Sequence, residues 1–163
     1  MGPNTRDDEI QPGLVAHASP PAWLLFHETW TESFPSGLGN VRIPHPLGYV
    51  AQKIIVGNTS RPLDKRGKDF HDALYVLAGL SERWPEIFKA HKTLSSYDPD
   101  GQSILHDAHD TWKHLFIRAS GVSVGASLIS SRLETEPKQR DVIARMIDVV
   151  SREAFRSWSL AMA

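Results

Sequence analysis

Positive charge is densest between Thr59 and Lys68, where Arg61, Lys65, Arg66 and Lys68 stand against one acid, Asp64. Such a loop can touch RNA or DNA, or simply carry its charge in solvent. Nucleic-acid surfaces usually add a wider basic patch or stacking aromatic residues, and neither accompanies this stretch. Histidine precedes aspartate three times, at His71-Asp72, His106-Asp107 and His109-Asp110. Imidazole and carboxylate both bind hard-to-borderline divalent ions, so His71, His106 and Asp107, with Asp141 or Asp148, form one candidate metal set. His106, Asp110 and His114 form another, at i, i+4, i+8 on one helical face. The third of these lies too far along to converge easily, and the face should be solvent. Asp98 and Asp100 have the spacing of paired metal-binding carboxylates, but Pro99 between them and Gly101 after them read more simply as a turn. Ser120, Ser123, Ser127, Ser130 and Ser131 flank Gly121 without a nucleophile-elbow pattern.

Composition sets the frame around these residues. The chain has 163 residues, enough for one domain with an ordinary core. Hydrophobic residues make up 40% and charged residues 23%, as in a folded globular protein. The formal net charge of -1 exerts no global pull toward nucleic acid or an anionic membrane. Cysteine is absent, which excludes disulfides, thiolate catalysis and cysteine-based zinc sites and suits a cytoplasmic location. No apolar run is long enough to span a bilayer, and the opening MGPNTRDDEIQPG lacks the order of a signal peptide.

The elements that must position the candidate residues are read from apolar spacing and breakers. Residues 1–21 are rich in Gly, Pro and acids and read as a flexible tail, with residues 22–163 as a single helical domain. Pro21 opens a predicted helix in which Trp23, Phe26 and Trp30 share a face; they pack on the core or mark a contact with another chain. Val41-Arg42-Ile43 reads as a short strand ended by Pro44. Leu47, Val50, Ala51, Ile54 and Ile55 form one helical stripe, with Lys53 off it and Gly57-Asn58 as its stop. A basic loop follows, then a helix from about Lys68 to Leu80 with Phe70, Ala73, Leu74 and Leu77 inward. Further helices are predicted from Ser81 to about Leu94, from Gln102 to Ala119, from Val122 to Leu133, and from Gln139 to Leu160. The last carries Ile143, Met146, Ile147, Val150, Ala154 and Trp158 as its apolar stripe. The fold class is mostly α: a helical bundle with at most one or two short strands near the N-terminus.

The stretch from Pro44 to Leu77 resembles a group of nucleotidyltransferase-fold proteins, including relatives of the abortive-infection toxins of that fold. The resemblance rests on Pro44-His45-Pro46, Tyr49, Lys53-Ile54-Ile55-Val56, Lys65-x-x-Lys68-Asp69 and Ala73-Leu74. It implies that Lys53, Lys65, Lys68 and Asp69 sit at a nucleotide pocket, the lysines on phosphate and Asp69 orienting a lysine or supporting a metal site from behind. The Gly-Ser turn followed by two carboxylates one residue apart, which the family uses to bind metal, has no counterpart here. The expectation is therefore a helical accessory part that lacks its own catalytic pair and binds a nucleotide or a catalytic partner chain. Mg2+ and a nucleoside triphosphate would reach it through that partner. Two alternatives remain open: a metal-dependent phosphohydrolase of the His-Asp type using His71, His106 and Asp107, and a non-enzymatic interaction module using Trp23, Phe26 and Trp30, by self-association or with another chain.

Overall fold

Apolar residues spaced three and four apart build the helices that carry the core, and the computed structural model is mostly helical, as the spacing predicts. It describes residues 7–11, 14–17, 24–27, 29–34, 39–59, 61–97 and 104–163. In chain order these hold β1 (Asp7–Gln11), β2 (Leu14–His17), α1 (Leu24–His27), β3 (Thr29–Phe34), β4 (Gly39–Pro44), α2 (Pro46–Thr59) and α3 (Leu63–Gly79). A short 3-10 turn (Ser81–Arg83) follows, then α4 (Trp84–Lys89), α5 (His91–Ser95), α6 (Ile104–Phe116), α7 (Val124–Leu133) and α8 (Pro137–Met162). The strands form two antiparallel hairpins, β1–β2 and β3–β4.

The core lies where α2, α3 and α6 pack together and α8 closes over α4, α6 and α7. Leu47, Val50, Ala51 and Ile54 of α2, Phe70, Ala73 and Leu77 of α3, and Leu105, Ala108, Trp112 and Phe116 of α6 are all buried. The buried indoles also satisfy their N–H groups, as burial demands. Trp84 Nε1 donates to the Leu77 carbonyl at 2.8 Å, and Trp112 Nε1 to the Ser151 carbonyl at 3.1 Å.

Several local readings need correction. The hairpin β1–β2 lies within the stretch read as a flexible tail, so the described residues hold four short strands rather than one or two. Trp30 is in a strand, paired with Ile43, because Thr29, Trp30 and Thr31 favour a pleated surface over continuing α1. It is buried inside the chain, with the His45 ring edge-on at 5.1 Å and the Arg83 guanidinium 4.1 Å from its ring centroid. Its ring is therefore engaged within the chain; Trp23 and the Phe26 side chain lie outside the described residues. Gly57 does not stop α2: it is buried in the helix, and a Cβ there would meet the Phe70 ring at 2.7 Å. The helix after the basic segment starts at Leu63, so Lys65, Arg66 and Lys68 are helical and Asp69 sits in the second turn. The helix predicted from Ser81 to Leu94 is broken at Ala90. On α8 the expected stripe holds at Ile147, Ala154 and Trp158, which are buried, and at Ile143 and Val150, which pack on the core; Met146 is instead 65% exposed, and Ala144, Asp148 and Ser151 complete the buried face. Small residues let α8 approach its neighbours closely, and a search for large apolar residues overlooks that seam.

His45 joins β4 to α2 and carries the first testable consequence. Its carbonyl accepts from the Tyr49 N–H at 3.1 Å, and its Nδ1 accepts from the Leu47 N–H at 3.2 Å, so a neutral imidazole caps the helix. Burial pushes its pKa down to about 4, against a smaller upward pull from Glu86. The folded pKa is depressed below the ordinary 6.5, so the unfolded chain takes up the proton first. Stability should therefore hold above pH 6.5 and fall as pH drops from 6.5 to about 4. The expected loss is on the order of 2 kcal/mol after allowance for solvent screening. Urea unfolding of the parent and His45→Asn across this range tests it. Asn keeps an acceptor for the cap, so the gap between the two proteins should narrow as the pH falls; a constant gap would contradict the account.

Candidate functional site

Lys53 lies off the apolar stripe of α2 and so points out of the core toward α3. On α3, Lys65, Lys68, Asp69 and Asp72 follow at i, i+3, i+4 and i+7, which is one helical face. Lys53 Nζ bonds Asp69 Oδ1 at 3.0 Å and lies 3.4 Å from Asp72 Oδ2. Arg61, on the segment between α2 and α3, reaches the other oxygen of Asp69, with Nε 3.4 Å from Oδ2. Arg66 Nε donates to the Arg61 carbonyl at 2.9 Å and ties that segment to the start of α3.

The third wall comes from α7. Gly67 meets α7 so closely that a Cβ would lie 2.8 Å from the Leu128 carbonyl oxygen. This approach brings Arg132, one turn beyond Leu128, to the same cleft. The result is a cavity of about 440 Å³ lined by Lys53, Arg61, Lys65, Lys68, Asp69 and Arg132. Five cations face one carboxylate. Gly67→Ala should therefore cost about 1–3 kcal/mol by forcing α3 and α7 apart. It should also weaken any ligand held jointly by Lys68 and Arg132. Thermal melts and ligand titration of that variant measure both, and an unchanged melt would show that the contact relaxes freely.

The electrostatics define what this cleft can do. Burial pulls the Lys53 pKa down, but the hydrogen bond and charge of Asp69 outweigh it, with Tyr49 and Asp72 adding, so the net shift is upward. Lys53 is thus held as an ammonium at neutral pH and serves neither as a general base nor as a nucleophile. Asp69, only 6% exposed at its side chain, is engaged by two cations. Lys65, Lys68 and Arg132 form no ion pair with a carboxylate among the described residues. A cleft with uncompensated cations of both kinds suits an oxyanion, bound as a fork by arginine and as a point charge by lysine.

The structure brings Lys53, Lys65, Lys68 and Asp69 to one cleft, together with Arg61 and Arg132. Arg132 is far away in the chain, and no local pattern announces it. The histidine and aspartate candidates are placed differently. His71 lies beside Asp72, with Nδ1 3.6 Å from Oδ1, and stacks on Tyr75. His106 and Asp107 are exposed on α6. His106, Asp110 and His114 share an exposed face, and His114 Nδ1 bonds its own helix at the Asp110 carbonyl. Among the described residues no three His, Asp or Glu are grouped to hold a metal ion. Asp141 is exposed, and Asp148 is bonded to Ser123. Asp98 and Asp100 lie outside the described residues.

Comparison with protein-family models, with curated proteins and with solved structures finds no match. Among the described residues no helix is long and apolar enough to cross a membrane.

Proposed function

We propose that the cleft between α2, α3 and α7 binds the phosphates of a nucleotide, and that the chain is the helical accessory part of a nucleotidyltransferase-like pair. Lys53, Lys65, Lys68, Arg61 and Arg132 hold the phosphate oxygens, and Asp69 fixes the lysine and arginine that flank it. A separate catalytic chain supplies the paired carboxylates and Mg2+. The absence of cysteine suits a cytoplasmic setting for that pair.

The observation that carries this reading is the 3.0 Å contact between Lys53 and Asp69 inside a cavity that four further cations line. Calorimetry with ATP and GTP at low salt tests it, because charge-based binding weakens as salt screens it. A saturable heat is expected. It should fall by about tenfold or more in the triple variant Lys65→Ala/Lys68→Ala/Arg132→Ala, which removes three charge-assisted contacts worth ~0.5–1 kcal/mol each. These three residues have no ion-pair partner among the described residues, so the fold should survive their loss. No heat with either nucleotide would overturn the binding role. Label transferred from labelled ATP by the chain alone would overturn the accessory role.

A further inference from the structure

A second cleft, of about 580 Å³, lies between the segment that follows α6 and the outer face of α8. Arg118 and the Ser120-Gly121 turn form one wall, and Arg145, Val149 and Arg152 the other. Arg145 and Arg152 are seven residues apart, so they lie on one face of α8, two turns and about 10 Å apart along the axis. Val149 sits between them and is 50% exposed. Gly121 takes φ +75°, which lets the chain turn sharply and return to Ser123 at the start of α7.

Two of the three guanidinium groups are anchored by backbone. Arg118 Nη1 donates to the Val122 carbonyl at 3.2 Å, and Arg152 Nε to the Asp148 carbonyl at 3.1 Å. Each bond uses one of five N–H donors and leaves four. None of the three arginines forms an ion pair with a carboxylate among the described residues. The carboxylate in the cleft wall, Asp148, is only 5% exposed and committed elsewhere. It accepts from the Ser123 N–H at 3.2 Å and from the Ser123 hydroxyl, while Ser123 Oγ in turn accepts from the Ala126 N–H and caps α7. Asp148 thereby fastens α8 to the start of α7 and leaves three guanidinium groups without a counter-ion around one cavity.

We propose that this cleft is a second oxyanion site, selective for a phosphoryl group of a small molecule. A carboxylate offers two coplanar oxygens, which one guanidinium fork already satisfies. A phosphoryl group offers three in a tetrahedral array and so engages forks that approach from opposing walls. This site stands independently of whether the first cleft takes a nucleotide.

Titration of the full chain with pyrophosphate, and with citrate as a carboxylate control, tests the proposal. Arg145→Gln/Arg152→Gln should weaken pyrophosphate binding by about tenfold, the loss of two charge-assisted forks. The effect should persist in the background Lys65→Ala/Lys68→Ala/Arg132→Ala, which silences the first cleft alone. The single variant Arg145→Gln removes no bond within the chain and should show a smaller loss in the same direction, with an unaltered melt. Pyrophosphate binding unchanged by both variants would overturn the site. Citrate bound as tightly as pyrophosphate would overturn its selectivity for phosphoryl groups.

Discussion

Replacing Trp158 by alanine should lower the unfolding free energy by about 3–5 kcal/mol, the cost of emptying a large, closed core position. Its side chain is fully buried near the end of α8. The indole stacks on Phe88 of α4 with centroids 5.4 Å apart and planes 8° apart, and meets His109 of α6 edge-on at 5.4 Å. Its Nε1 donates to Nδ1 of His91 on α5 at 3.2 Å. One residue thus holds three helices to the last. The His91 pKa is lowered, first by burial and then by the fields of His106 and His109, which keeps Nδ1 free to accept that bond. Trp158→Phe keeps most of the volume but leaves Nδ1 without its donor, so about 1–2 kcal/mol should be lost. Urea unfolding followed by circular dichroism measures both. A loss under about 1 kcal/mol for the alanine variant would show that this end of α8 is not docked as described.

Asp69→Asn should cost about 2–3 kcal/mol, somewhat less than a fully buried broken pair because Arg61 and Lys53 retain some solvent. Lys53 keeps Asp72 at 3.4 Å, but Arg61 loses its only carboxylate among the described residues. The direction of the Lys53 shift gives the pH window of the interaction. Its pKa is raised above 10.5, so its contribution is fully present below that value and lost as pH climbs through the folded pKa. The variant also separates a purely structural ion pair from an anion site. With the carboxylate gone, an added polyphosphate meets five cations of which only Lys53 keeps a carboxylate partner, Asp72. At tenfold excess over its dissociation constant for the variant it should stabilise the variant by about 1.4 kcal/mol, and the parent by less at the same concentration, read as a larger rise in the variant's melting temperature. An equal effect on both proteins would mean that Asp69 does not face the ligand.

Much of the site was legible because it is local. Lys53 falls off a clean apolar stripe, and Lys65, Lys68 and Asp69 lie within five residues, so whichever face α3 turns to α2 they travel together. What was not legible depends on long-range packing. Arg132 reaches the cleft because Gly67 lets α7 lie against α3, and neither residue carries a chemical signature. Apolar spacing alone starts α3 late, near Lys68, because its charged first turns carry no apolar period, although Pro62 marks the boundary. Spacing alone puts Trp30 on a helix, yet strand pairing with Ile43 and the contacts to His45 and Arg83 decide its conformation. Asp148 enters one candidate metal set only as the alternative to Asp141, because the sequence shows a carboxylate and conceals Ser123, its partner 25 residues away.

Amide-resolved NMR titration of the isotopically labelled chain with ATP shows whether the cations around Lys53 and Asp69 form a nucleotide-phosphate site. Saturable shifts are expected at Lys53, Arg61, Lys65, Lys68, Asp69 and Arg132, and their loss in the variant without Lys65, Lys68 and Arg132. A titration in which those amides do not move would contradict it.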